Sequence, residues 1–211
     1  MIKAVVFDMD GVLIDAKEWH YDALNRALQL FGMEISRAEH LTTFDGLPTR
    51  RKLEMLAATH GLPRALHSFI NDIKQLYTME IVHSRCKPRF VHEYALAKLK
   101  ARGIKLGVAS NSVRNSVYTM MAKAQLSQHL DIMLSNEDIA HAKPHPEMYL
   151  KAMELLGVAP EETLILEDNE NGIKAARASG GHVMVIREVD DVNFPAIAAR
   201  IAQIEGMEAG A

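Results

Sequence analysis

At 211 residues the chain has room for one hydrophobic core and a modest appendage, and its 48% apolar and 24% charged residues are ordinary soluble usage. A formal net charge of −3 leaves no electrostatic footprint for nucleic acid, and no arginine–lysine block marks a membrane surface. An anionic ligand must therefore find its positive charge in a metal ion or in a few local side chains.

The opening "MIKAVVFDMD" reads as a buried strand over 2–7 that runs into acids where a signal peptide would stay apolar. From about Ala16 to Val82 no strand is convincing. Three amphipathic runs predict helices instead: "KEWHYDALNRALQLFG", "TRRKLEMLAATHG" and "LPRALHSFINDIKQLYTMEI". The first would place Trp19, Ala23, Leu24, Ala27, Leu28 and Phe31 on one face. Between the first two runs lies the loop "TTFDGLPTRRK", where Asp45-Gly46 and Pro48 predict a turn ahead of Arg50, Arg51 and Lys52.

Four more apolar runs follow, at 105–110, 131–135, 163–167 and 182–186, separated by helical patterns that stop at Gly103, Gly157 and Gly180. None alternates cleanly, so both faces should be covered, as in a parallel sheet. The expected fold is α/β, a doubly wound parallel sheet formed by 1–15 and 83–211, with a small helical-bundle cap domain inserted over 16–82. Asp15 marks the hinge into the insert. The tail "EGMEAGA" is expected to fray. The lone Cys86 cannot form an internal disulfide, and no apolar run approaches a membrane span. The expected location is cytoplasmic, as a monomer or weak homo-oligomer.

Ligands of parallel sheets bind beyond the carboxyl ends of the strands. Asp8 and Asp10 follow the first strand, Ser110 and Asn111 the second, Lys143 the third, and Glu167 and Asp168 close the fourth. Such a rim suits phosphoryl transfer through a carboxylate nucleophile. Asp8 would attack phosphorus, and Mg²⁺ held by Asp8 and Asp168 would screen two like charges. Asp10 would serve as general acid and then base. Lys143 would stabilise the phosphate, with Ser110 supplying a hydroxyl and the following helix start supplying N–H groups. His141 and His145 are four apart, but Pro144 between them argues against one helical face, so they read as loop residues rather than a zinc pair.

The stretches "DMDGV", "VASNS", "KPHPEMY" and "LEDNENGIKAA" together resemble the four motifs of haloacid dehalogenase-like hydrolases. The insert is similar to the helical cap of the β-phosphoglucomutase-like branch. The resemblance implies that Asp8 is nucleophile and metal ligand, and that Asp10 is acid/base with its backbone carbonyl on Mg²⁺. It also implies that Ser110, Asn111 and Lys143 hold phosphate, that Asp168 binds the metal, and that Glu167 binds it directly or through water. In the cap, His20 and Arg50 become candidates for substrate contact.

Asp10 disfavours dehalogenation, because a departing halide needs no proton while an alkoxide does. The implied reaction is Mg²⁺-dependent hydrolysis of a small phosphorylated metabolite, a sugar or polyol phosphate. Sugar mutases of this branch carry a cap arginine where this chain aligns Thr49, and a lysine after the second-motif serines where it has Val113. Arg114 could substitute, which keeps a phosphomutase as the alternative. A non-catalytic phospho-accepting domain is a third reading, against which Asp10 and the insert both count.

Overall fold

The computed structural model describes residues 1–208, and the chain divides into two compact units. One comprises Met1–Asp15 with Lys87–Ala211, the other Ala16–Cys86.

The smaller unit is helical. It contains α1 (Lys17–Gln29), a single turn α2 (Arg37–Glu39), a π-helical turn (His40–Phe44), α3 (Thr49–His60) and α4 (His67–Arg85). Ala23, Leu24, Ala27 and Leu28 recur at three- and four-residue spacing on α1, so one stripe is apolar, and they pack with Ile35, Phe44, Leu53, Leu56, Leu62 and Ile70. Trp19 is only half-buried, and Phe31 lies beyond the helix end, exposed, where it meets Phe69 edge-on at 6.0 Å. The expected apolar face is thus shorter than the sequence suggested. Asn25 pins the loop after α1, because its amide donates to the Ile35 carbonyl and accepts the Ile35 N–H, each at 2.9 Å. The sequence placed the return to the sheet at His83, whereas α4 runs on to Arg85 and the unit to Cys86.

The larger unit holds five parallel strands, β1 (Ala4–Phe7), β2 (Lys105–Ala109), β3 (Ile132–Leu134), β4 (Thr163–Glu167) and β5 (His182–Val185), in the order β3-β2-β1-β4-β5. Helices α5 (Phe90–Ala101), α6 (Arg114–Lys123), α7 (Glu147–Leu156), α8 (Glu170–Ala178) and α9 (Phe194–Glu208) connect and follow them. The tail expected to fray is helical as far as Glu208, and 209–211 fall outside the described residues. Every residue of β1 is buried, so "AVVF" has no polar side, which explains the missing alternation. Ala4 and Val6 face α7 and α8 through Met148, Ala152, Met153, Ala175 and Ala176. Each valine or phenylalanine so buried contributes about 1.5–3 kcal/mol. Gly157 ends α7 in the left-handed conformation at φ 62°, which a side chain would strain.

Register positions the functional rim. Phe7 pairs with Val108 on one side and Leu166 on the other. One step further along, Asp8, Ala109 and Glu167 emerge level with one another, and the Asp8 N–H still bonds the Leu166 carbonyl at 2.9 Å. The chain then turns through Gly11 at φ 87°.

Candidate active site

Lys143 comes from the loop between β3 and α7, and its side chain is 3% exposed. An ammonium has three N–H donors. Here they meet three acceptors, one from the end of each central strand: Asp8 Oδ1 at 2.6 Å, the Ala109 carbonyl at 2.8 Å and Glu167 Oε1 at 2.7 Å. Burial alone pulls the Lys143 pKa down, but Asp8 and Glu167 outweigh it and leave the group above its ordinary value, hence charged. The backbone is held as well, since the Lys143 N–H donates to Asn111 Oδ1 at 3.2 Å.

Asp8 stands in the opposite balance. Burial pushes its carboxyl well above the usual range and Lys143 draws it back, while Glu167, Asp168 and Asp10 each push it up again. Lys143 meets two carboxylates directly, and Asp168 and Asp10 add further negative charge around Asp8, an excess that a cation would relieve. Asp8, Glu167 and Asp168 each offer an oxygen, and these lie within 4.8 Å of one another. An all-oxygen set of carboxylates suits a hard divalent ion such as Mg²⁺.

Glu167 is more committed than the sequence implied. Its Oε1 accepts from Lys143 and from the Tyr149 hydroxyl, and its Oε2 accepts the Asp168 N–H at 3.1 Å. Such a carboxylate orients Lys143 as much as it offers itself to a metal. Gly172 makes room for it, because a Cβ there would fall 1.8 Å from Glu167 Oε1. Tyr149 is fully buried, and its ring lies 4.7 Å beneath the Lys143 ammonium, a cation–π contact. Burial first, then Glu167 and Asp8, hold its phenol well above the ordinary value, so it remains a donor.

The second motif connects to Asp10. The Ser112 hydroxyl donates to Asp10 Oδ2 at 2.8 Å, and the Ser112 N–H donates to Ser110 Oγ at 3.0 Å. Ser110 does not cap the next helix: α6 begins at Arg114 behind Val113, without a side-chain cap.

The structure therefore gathers Asp8, Lys143, Glu167 and Asp168 at one point, with Asn111 and the Ser110–Ser112–Asp10 chain beside them. It does not bring Arg114 there. That guanidinium bonds Asp138 at 2.6 Å and approaches Glu137 at 4.0 Å, which accounts for its raised pKa. His20 and Arg50 belong to the helical unit. His20 Nδ1 lies 3.4 Å from the Lys74 ammonium, and Arg50, 91% exposed, pairs with Glu54 at 3.6 Å. Lys52, grouped with the two arginines in the sequence, is buried where they are exposed. Tyr149, Ser112 and Gly172 were missed by the sequence reading of the site. Each lies inside a quoted motif, and for Gly172 a glycine within a helix was the available signal.

Among the described residues, no helix is long and apolar enough to cross a membrane. The sequence matches the family described as haloacid dehalogenase-like hydrolase over residues 5–186. It is 28% identical over 182 residues to a phosphorylated carbohydrates phosphatase of Thermotoga maritima, covering 85% of this chain and 82% of that one. It is equally 28% identical over 196 residues to pyrophosphatase PpaX of Oceanobacillus iheyensis, covering 92% and 87%. In fold it is similar to β-phosphoglucomutase from Clostridium difficile, with a TM-score of 0.84 at 21% identity over 96% of this chain and 98% of that one.

Proposed function

The chain belongs to the haloacid dehalogenase-like hydrolases, and on that premise we propose that it is a Mg²⁺-dependent phosphatase of a small phosphorylated metabolite, a sugar or polyol monoester, working through Asp8. The observation that carries this reading is the buried Lys143 ammonium tying Asp8 at the end of β1 to the ends of β2 and β4, with Asp168 alongside. The curated relatives named above are a carbohydrate phosphatase and a pyrophosphatase, which supports phosphate release over isomerisation.

In this reading Lys143 fixes one Asp8 oxygen and orients the carboxylate for in-line attack on phosphorus. The bond from phosphorus to the ester oxygen breaks, and Asp10 gives that oxygen its proton. Water then attacks the aspartyl-phosphate and returns a proton to Asp10, releasing phosphate and free Asp8. Ser112 keeps the Asp10 carboxyl in place between the two steps. Asp8, Asp168 and the Asp10 carbonyl would hold the ion, with Glu167 alongside; when bound it screens the nucleophile from the anionic substrate. Ser110 and Asn111 border the phosphate position. Since the Lys143 donors already meet protein acceptors, its contribution to the phosphate is charge rather than a new hydrogen bond.

A mutase would need a second phosphate anchor. Arg114, the one substitute the second motif offers, is engaged with Asp138 and Glu137, which favours hydrolysis. The test is phosphate release from a panel of sugar, polyol and other phosphomonoesters with Mg²⁺ and with chelator, isomerised sugar phosphate being assayed beside it. Asp10→Asn should slow alkyl phosphates far more than p-nitrophenyl phosphate, whose leaving oxygen needs little protonation. Absence of turnover on every ester in the presence of Mg²⁺ would overturn the reading in favour of a phospho-accepting domain.

A further inference from the structure

The loop that carries Lys143 also brings together three side chains that the proposed reaction does not use. Glu147, the first residue of α7, folds back over the loop. Its Oε1 accepts the Ala140 N–H at 2.8 Å, and its Oε2 accepts the His141 N–H at 2.8 Å. His141 Nδ1 lies 2.8 Å from that same Oε2 and His145 Nδ1 3.9 Å from it. The two imidazole rings are 4.8 Å apart and tilted by 38°. Pro144 does exclude a shared helix face, as the sequence indicates, yet the turn into α7 does what a helix would have done.

We propose that His141, His145 and Glu147 form a binding site for Zn²⁺ or a similar borderline divalent ion, clasping the loop around Lys143. One ligand atom from each residue lies within 4.8 Å of the other two. Tetrahedral Zn²⁺ with bonds of about 2.0–2.1 Å sets its ligand atoms roughly 3.3 Å apart. The observed 2.8 and 3.9 Å straddle that spacing. His145 Nδ1 accepts the Glu147 N–H at 3.3 Å, a long contact that an ion would replace, and both histidines are more than half exposed, so their rings can adjust and water can complete the coordination. Glu147 is pre-oriented by the two backbone N–H groups it accepts. Ligand chemistry separates this site from the rim: two imidazoles and a carboxylate select Zn²⁺, Ni²⁺ or Cu²⁺, whereas three carboxylates select Mg²⁺. His141 and His145 flank Lys143 by two residues on either side. An ion joining them closes a short ring about Lys143 and couples transition-metal occupancy to the position of its ammonium.

The test is competition for Zn²⁺ between a chromophoric chelator and the full chain under saturating Mg²⁺, with no substrate present. One Zn²⁺ per chain is expected. The double substitution His141→Ala/His145→Ala should weaken binding about 100-fold, and Glu147→Gln about tenfold. Asp168→Asn, at the rim, should leave it unchanged. Circular dichroism establishes that the variants are folded. Zn²⁺ should also broaden or shift the imidazole resonances of His141 and His145. If the wild type takes up no Zn²⁺, or the double variant binds it as tightly, or the affinity is lost with Asp168→Asn instead, the site does not exist. These readouts need no turnover, so they stand or fall apart from the phosphatase reading.

Discussion

In the sheet unit Lys143 stays charged under burial because acceptors from β1, β2 and β4 converge on it. In the helical unit His40 is as deeply buried and gives its charge up. Burial lowers its pKa to about 4, and nearby Lys52 adds to the effect. Its ring packs 5.1 Å from Tyr21, and neither ring nitrogen has a hydrogen-bond partner among the described residues. The difference lies in what each architecture can aim. Parallel strands in fixed register deliver carbonyl and carboxylate oxygens at one level, so they can enclose an ion. Helices satisfy their own backbone groups internally and bring mainly side chains to their contacts. A polar ring caught in such a contact is cheaper neutral.

The sharpest break in that comparison is Asp8→Asn. Phosphate release should fall to background while the melting temperature changes by only a few degrees, since the substitution also removes a carboxylate strained by three others. Activity retained with Asn at position 8 would end the nucleophile assignment. Next is Gly172→Ala, whose methyl would displace Glu167 and loosen Lys143. We expect kcat to drop about 100-fold through misplacement of the nucleophile, with about 1–3 kcal/mol lost from stability through overpacking. Stopped-flow turnover and urea unfolding measure the two effects.

For the helical unit the lever is pH. An unfolded histidine takes its proton near 6.5 and folded His40 only near 4, so between these values the unfolded chain binds more protons. Stability contributed by neutral His40 is full above pH 6.5 and is lost as pH falls toward 4, on the order of 2 kcal/mol. Chemical denaturation at a series of pH values should show this slope in the wild type and a flatter one in His40→Phe. Tyr149→Phe should cost about 1–2 kcal/mol, by removing one donor to Glu167 while keeping the ring under Lys143. The smallest effect is expected from Arg114→Ala, which removes an exposed ion pair with Asp138 and should leave the unfolding midpoint nearly unchanged. An unchanged KM there would confirm that this arginine does not hold substrate.

The sheet was legible because its strands are continuous apolar runs and α5, α7 and α8 stop at glycine, signals that act over a few residues. The convergence of Asp8, Lys143 and Asp168 could be read because parallel topology sends strand ends to one side. What could not be read was partnership. Nothing local in "KPHPEMY" says that Tyr149 will reach Glu167, 18 positions further along the chain. Nor does any helical period place His141 beside His145, because the turn into α7 sets that contact. On α1 the periodicity overreached: it extended the apolar face to Phe31 although the helix stops at Gln29.

Lys143, sealed from solvent with every proton engaged, should also be chemically silent. Amine-directed acylating or carbamylating reagents require an accessible, neutral nitrogen. In the native protein they should modify surface lysines and spare this one. Its labelling would then report, residue by residue in a mass spectrum, the moments when the ends of β1, β2 and β4 part from each other.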